Sequence, residues 1–226
     1  MINYWLLILP GVVLALYAQF RLMSVFGRYS KVAASAGITG AEAAREILDR
    51  AGLNTMPVEE VPGHLSDHYD PTHRKLCLSS ENYHGTSLAA LGVAAHEAGH
   101  ALQHKQAYAL FDVRMALVPV TQFASLASFG LLLGGLFIKM SGLVLLGVII
   151  YGILFAFQLV TLPVEYDASS RAKAELFRLG LIRDNERAGV SAVLSAAALT
   201  YVAAMVMALL QLLHWVLILT HSRDRD

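Results

Sequence analysis

Four long runs without a charged residue dominate the hydropathy pattern: Tyr4–Phe20, Ala116–Ile138, Gly142–Leu162 and a stretch within Val190–Leu219. A helix needs about 20 mostly apolar residues to cross a bilayer. The last three runs meet that length or nearly so, and the first is short, with Pro10-Gly11 inside it. The pattern predicts a mostly α, polytopic membrane protein with about four transmembrane helices. The first run has no basic residue ahead of it, and Ala15-Leu16-Tyr17-Ala18 makes an unconvincing cleavage site, so it reads as a retained anchor.

Between the runs the periodicity changes. Leu22–Ala36 continues a weak helical pattern rich in small residues. Thr39-Gly40-Ala41-Glu42 opens a clearer helix with Ala43, Ile47 and Leu48 on one face, and Gly52 stops it. Pro62-Gly63 and Asp70-Pro71-Thr72-His73 are turn signals, and the runs beside them, His64–Tyr69 and Arg74–Ser79, predict a β-hairpin. Gly85-Thr86-Ser87 then opens another helix, with Thr86 or Ser87 as N-cap. Leu88–Ala95 is apolar on every side, which predicts a buried helix. There is no internal repeat or low-complexity tract.

Composition supports the membrane reading. The chain has 226 residues, 56% hydrophobic and 15% charged, with mean hydropathy +0.55. Soluble domains carry about 25% charge. Net charge is zero, which leaves no case for a nucleic-acid partner. Arg21, Arg28, Lys31, Arg45, Arg50, Arg74, Lys75, Lys105 and Arg114 lie between the first two runs. Arg171, Lys173, Arg178, Arg183 and Arg187 lie between the last two. Lys139 stands alone in the short middle loop, and Arg223 and Arg225 are each followed by Asp. Cytoplasmic loops carry the excess of Lys and Arg, so both larger loops are expected inside and both termini outside. The single cysteine, Cys77, excludes an intramolecular disulfide and sits in an apolar Leu76-Cys77-Leu78 run that suits a buried structural thiol better than a ligand.

The candidate chemistry lies in the buried helix, at His96-Glu97-Ala98-Gly99-His100. Residues i and i+4 share a helix face, so two imidazoles can close on one zinc ion. Glu97 is turned about 100° from His96, where a carboxylate flanks the metal and can take a proton from the attacking water. A catalytic zinc uses three protein ligands. His104 is about 12 Å from His96 along a helix, too far to join it, and reads as a helix C-terminal residue interacting with terminal carbonyls. Gln103 and Gln106 stand where the extended metzincin pattern needs Gly and His. A distant carboxylate remains. Glu165, directly after the third run, is better placed than Asp112, which leads into the second run. Asp167 lies about 200° around a helix from Glu165, so both cannot face one ion. A solvated Glu165, with Asp112 or Asp167 completing the site, is the rival reading. Pro163 either kinks this helix or starts a new one.

The motif His96–His100, together with Ser66-Asp67-His68-Tyr69-Asp70-Pro71, Leu117-Val118-Pro119-Val120-Thr121 and Leu162-Pro163-Val164-Glu165, resembles the YugP-like bacterial neutral zinc metallopeptidases. The resemblance runs from about Tyr4 to Val206 and implies a membrane peptidase. The layout is also similar to HtpX-type and CAAX-prenyl-protease gluzincins. In those a Glu after a membrane span is the third ligand, which here falls on Glu165. An Asp four residues later supports a ligand histidine there, and this chain has Ser169 instead.

Other histidines carry weaker expectations. His68, with Asp67 and Tyr69, either shapes the cleft and stabilises an oxyanion or is a surface hairpin residue. His64, His73, His84 and His221 read as exposed loop residues. His214 beside Trp215 suits the membrane interface or a polar contact between spans.

These readings give an anchor at 1–20, a small α+β zincin-like cytoplasmic domain with a β-hairpin at 21–115, a transmembrane hairpin at 116–162, a cytoplasmic helix with the third ligand at 163–189, and a C-terminal transmembrane helix and tail at 190–226. The expected function is that of a zinc metalloendopeptidase in the bacterial plasma membrane. It would hydrolyse peptide bonds with zinc-activated water at the cytoplasmic membrane surface. Its cofactor is Zn2+, with His96, His100 and Glu165 as ligands and Glu97 as catalytic base. Its partners are the lipid bilayer and a membrane-associated polypeptide substrate, and a homo-oligomer or a membrane partner protein is compatible with the pattern. Two rivals stand beside it. A site-2-type intramembrane protease would need a span around the motif, but only Leu88–Ala95 precedes it, and no Asp-Gly pair is present. A metal-dependent non-catalytic scaffold would have no use for Glu97.

Overall fold

The computed structural model describes residues 4–223, and side chains for 5–220. The readings of His221, Arg223 and Arg225 lie outside the described side chains. The protein is mostly helical. Its elements in order are α1 (Tyr4–Tyr29), α2 (Gly40–Arg50), β1 (Val58–Val61), β2 (His68–Asp70), β3 (Lys75–Ser79), α3 (Ser80–His84), α4 (Leu88–Lys105), α5 (Ala109–Phe137), α6 (Ser141–Arg178) and α7 (Arg187–Arg223).

Among the described residues, four helices are long and apolar enough to cross a membrane: those at Trp5–Tyr29, Ala109–Phe137, Ser141–Arg178 and Asp184–Thr220. Pro163 lies inside α6, so the third run and the polar segment after it form one continuous helix. The missing proline N–H removes a single hydrogen bond, and helix continues on either side.

The chain divides into two compact units. One comprises Met1–Ala18, Ala109–Pro163 and Thr200–Asp226. Its core includes Leu132, Val144, Val148, Trp215 and Leu219. Many of its large apolar side chains are exposed, including Phe123, Leu126, Phe129 and Phe137 on α5. Such a surface fits lipid and would be costly in water.

The other unit comprises Gln19–Tyr108 and Val164–Leu199. Here α2 packs on α4, burying Ala43, Ala44, Ile47 and Leu48. Thr39 caps α2 with a reciprocal bond to Glu42, which satisfies two N–H groups that the first turn leaves free. Ser87 caps α4 by accepting from the Ala90 N–H, as the sequence predicts.

The predicted hairpin is present but shorter and has an extra neighbour. β2 pairs antiparallel with β3, His68 opposite Cys77 and Asp70 opposite Lys75. β1 pairs with the other edge of β3 in parallel, giving the order β1-β3-β2. The first strand begins at His68 rather than His64 because residues before it are committed to a turn. Leu65 has φ 52°, and the Asp67 carboxylate accepts from the Ser79 N–H and hydroxyl and from the Asn82 amide. β1 is half-exposed and carries Glu59 and Glu60, so it lacks the alternating apolar pattern that announces a strand. α1 ends at Tyr29, earlier than the weak pattern to Ala36, and Ala33 instead bridges to Ser87. Cys77 is buried in β3, and burial raises its pKa, which fits an inert thiol.

Candidate metal centre

Two helices of the second unit supply the site. α4 presents His96 and His100 on one face, with ring centroids 4.8 Å apart and planes at 83°. α6 brings Glu165, 1% exposed, against them. His96 Nε2 lies 3.2 Å from Glu165 Oε2, and His100 Nε2 lies 3.7 Å from Glu165 Oε1. The three candidate donor atoms fall within 4.8 Å of one another. An ion with four ligands at zinc bond lengths has donors about 3.3 Å apart. Two imidazole nitrogens and a carboxylate at these separations therefore fit zinc in chemistry and in span.

Glycine makes this approach possible. A Cβ on Gly99 would stand 2.6 Å from the Ala168 carbonyl oxygen, so α4 and α6 touch backbone to backbone beside the candidate donors.

Both imidazoles have partners behind them. His96 Nδ1 is 3.2 Å from Ser169 Oγ, so the residue that departs from the gluzincin pattern still reaches one of the two motif imidazoles. His100 Nδ1 is 2.9 Å from Gln103 Oε1. Asp167 bonds Gln103 and Arg171 rather than joining the ligand group.

Glu97 points elsewhere. Its Oε2 accepts the Tyr69 N–H of β2 at 2.9 Å. Burial raises its pKa to about 7, opposed by the neighbouring His96 and reinforced by Glu165. A carboxylate held in that range can exchange a proton near neutrality. β2 is an edge strand of the sheet, and its Tyr69 N–H is taken by Glu97 of the motif helix.

His104 lies in the last turn of α4, but its Nδ1 meets the Tyr69 hydroxyl at 2.8 Å, where terminal carbonyls were expected. The buried tyrosine ring stands beside it and supplies a nearer hydroxyl. His68 is exposed, with Nδ1 2.8 Å from the Ser66 carbonyl, and Asp67 is occupied by Ser79 and Asn82. Asp112 is exposed in the first turn of α5 and is not in the ligand group. His64 and His73 are exposed beside Glu81 and Asp70, and His84 ends the short helix α3 beside Glu60. His214 lies beside Trp215, with ring centroids 5.6 Å apart and planes tilted by 55°. Gln103, Ser169, Gly99 and the Tyr69 N–H are the contributors that spacing did not announce. Only Gln103 left a local signal, at i+3 from His100 on the same helix face.

Comparison with known proteins agrees with this chemistry. The chain is 51% identical over 213 residues to a Bacillus subtilis (strain 168) protein named "Putative membrane protease YugP", covering 94% of this chain and 95% of that protein. No solved structure matches it. Residues 4–220 match the family described as "Putative neutral zinc metallopeptidase", and the chain belongs to that family.

Proposed function

We propose that this protein is a membrane-embedded zinc metalloendopeptidase of gluzincin type that cleaves membrane-associated polypeptides. The observation that carries the reading is the convergence of His96, His100 and Glu165 from two helices, with the carboxylate of Glu97 beside them but turned to another partner. A structural zinc site fills its coordination with protein ligands, whereas three ligands and a separate carboxylate suit hydrolysis. Zinc bound by the three side chains would polarise the scissile carbonyl and acidify water. Glu97 would take the proton of the attacking water and later pass it to the leaving amine. The edge strand β2 would hold an extended substrate through main-chain hydrogen bonds once Glu97 has exchanged the Tyr69 N–H for the attacking water, as in a zincin-like cleft. Such contacts are tolerant of sequence.

The placement in the cell follows from charge and continuity. Glu165 stands three residues after Leu162, the end of the third apolar run, on one unbroken helix. Three residues of α-helix rise about 4.5 Å, which would keep Glu165 near the headgroups. The excess of Lys and Arg in the two larger polar segments supports a cytoplasmic side for them and for the catalytic residues, in a bacterial cell whose plasma membrane the four apolar helices would cross. α4 is not among the four helices apolar and long enough to span, which disfavours an intramembrane site.

Metal analysis of purified wild type beside Glu97→Gln, followed by proteolysis of membrane polypeptides, tests the assignment. Wild type is expected to carry one zinc and to cleave, and Glu97→Gln to carry zinc without cleaving. Near-normal cleavage by Glu97→Gln would remove Glu97 from the mechanism.

A further inference from the structure

We propose that Gln103 fixes the tautomer and ring plane of His100, as the inner member of a relay that ends on Asp167 and Arg171; the role toward zinc rests on the metal-centre reading above. Gln103 is fully buried. Its amide nitrogen lies 2.8 Å from the Val164 carbonyl oxygen and 2.8 Å from Asp167 Oδ2. Both partners only accept hydrogen bonds, so the group between them is the NH2, and the amide cannot be flipped. Its oxygen therefore faces His100 Nδ1 at 2.9 Å. An amide oxygen also only accepts, so Nδ1 carries the proton.

The consequence reaches the metal site. A neutral imidazole with hydrogen on Nδ1 keeps the lone pair of Nε2. That lone pair faces Glu165 Oε1 across 3.7 Å. With Nδ1 committed to Gln103, Nε2 is the nitrogen that His100 offers to a metal shared with Glu165. The relay is braced at its far end, where the Arg171 guanidinium binds Asp167 and also Gln106. It thus holds the Asp167 carboxylate in place as an acceptor. Val164 and Asp167 flank Glu165 on α6, so one side chain locks both the His100 ring and the turn that carries Glu165. Ser169 behind His96 differs in kind. A hydroxyl both donates and accepts, so it leaves the His96 tautomer open.

The tautomer can be read directly by long-range 1H–15N NMR of histidine-labelled, metal-free protein in detergent at alkaline pH, with His100 assigned by its loss in His100→Gln. Wild type is expected to show His100 protonated at Nδ1. Gln103→Glu keeps an acceptor toward His100 but sets its other oxygen against the Val164 carbonyl and Asp167; it should retain that tautomer and weaken zinc clearly less than Gln103→Met in a chelator titration. Gln103→Met should lose the tautomer preference and weaken zinc about 10- to 100-fold. His100 protonated at Nε2 in wild type would overturn the proposal, and this holds even where Gln103→Met fails to fold. Equal loss of zinc in both variants with an unchanged tautomer would also overturn it, reducing Gln103 to a tie between helices. A wild type with the expected tautomer but no zinc affinity would uphold the relay and sink the metal-centre reading.

Discussion

Gly99 and Ala168 meet with no room for a methyl group between them, since a Cβ on Gly99 would approach the Ala168 carbonyl oxygen to 2.6 Å. This contact sets the distance between the helix that carries His96 and His100 and the helix that carries Glu165. One of the two variable positions of the motif is thereby as constrained as the named ones, for a steric reason and not a chemical one.

Gly99→Ala should therefore push α6 away from α4. Overpacking of this kind costs about 1–3 kcal/mol, and the displaced ligands should weaken zinc at least tenfold. Gly92→Ala is the control on the same helix. Its Cβ would meet Val190 Cγ1 at 3.5 Å, an ordinary contact, and alanine gains about 0.5–1 kcal/mol over glycine in a helix. Chemical unfolding and chelator titration of both variants check the contrast, and similar behaviour in the two would reject it.

Glu165→Ala should abolish high-affinity zinc binding, because one of three donors is removed. Asp112→Ala should leave it unchanged. Asp167→Ala should produce a smaller loss, since Asp167 touches Gln103 and Arg171 and not the donors. Zinc stoichiometry by atomic absorption ranks the three, and a Glu165→Ala protein that keeps wild-type zinc would sink the ligand assignment.

What the sequence made legible was local. His96 and His100 are one helical turn apart, so their shared face follows from spacing alone. The Thr39 and Ser87 caps likewise act within their own first turns. The four apolar runs follow from length and composition. What stayed hidden depends on contacts between distant segments. Val58–Val61 is a strand because β3 offers it a free edge, and nothing in Val-Glu-Glu-Val says so. Gln103 finds Val164 and Asp167 some 60 positions away. The Tyr69 N–H belongs to the backbone, so side-chain reasoning could not single it out. Glu165 was reachable only through its place at the end of an apolar run, joined to the resemblance.

Topology needs a reporter other than the native thiol. Cys77 is 1% exposed, so it would resist a thiol reagent on either side of the membrane. His73 is a better position, with its side chain 72% exposed in the turn between β2 and β3. His73→Cys in a Cys77→Ala background should stay unlabelled by an impermeant maleimide in intact cells and react once the membrane is opened. Labelling in intact cells would reverse the orientation proposed for the catalytic unit.

Zinc should stabilise the fold by linking segments far apart in the chain. His96 and Glu165 are separated by 69 positions, so an ion held by both ties α4 to α6 in the native state and finds no such site in the unfolded chain. Binding to the native state alone adds about 2.7 kcal/mol at a free ligand concentration 100 times Kd. The thermal midpoint of metal-depleted wild type should therefore rise as zinc is added, and that of Glu97→Gln should rise equally, because Glu97 is turned to the Tyr69 N–H and not to the donors. His96→Ala and Glu165→Ala should show almost no rise. The readout requires no substrate, so it separates the ligand assignment from the choice of polypeptide. A zinc-dependent rise that survives in both ligand variants would place the ion elsewhere in the protein, and a Glu97→Gln response much weaker than wild type would make Glu97 a ligand instead of a base.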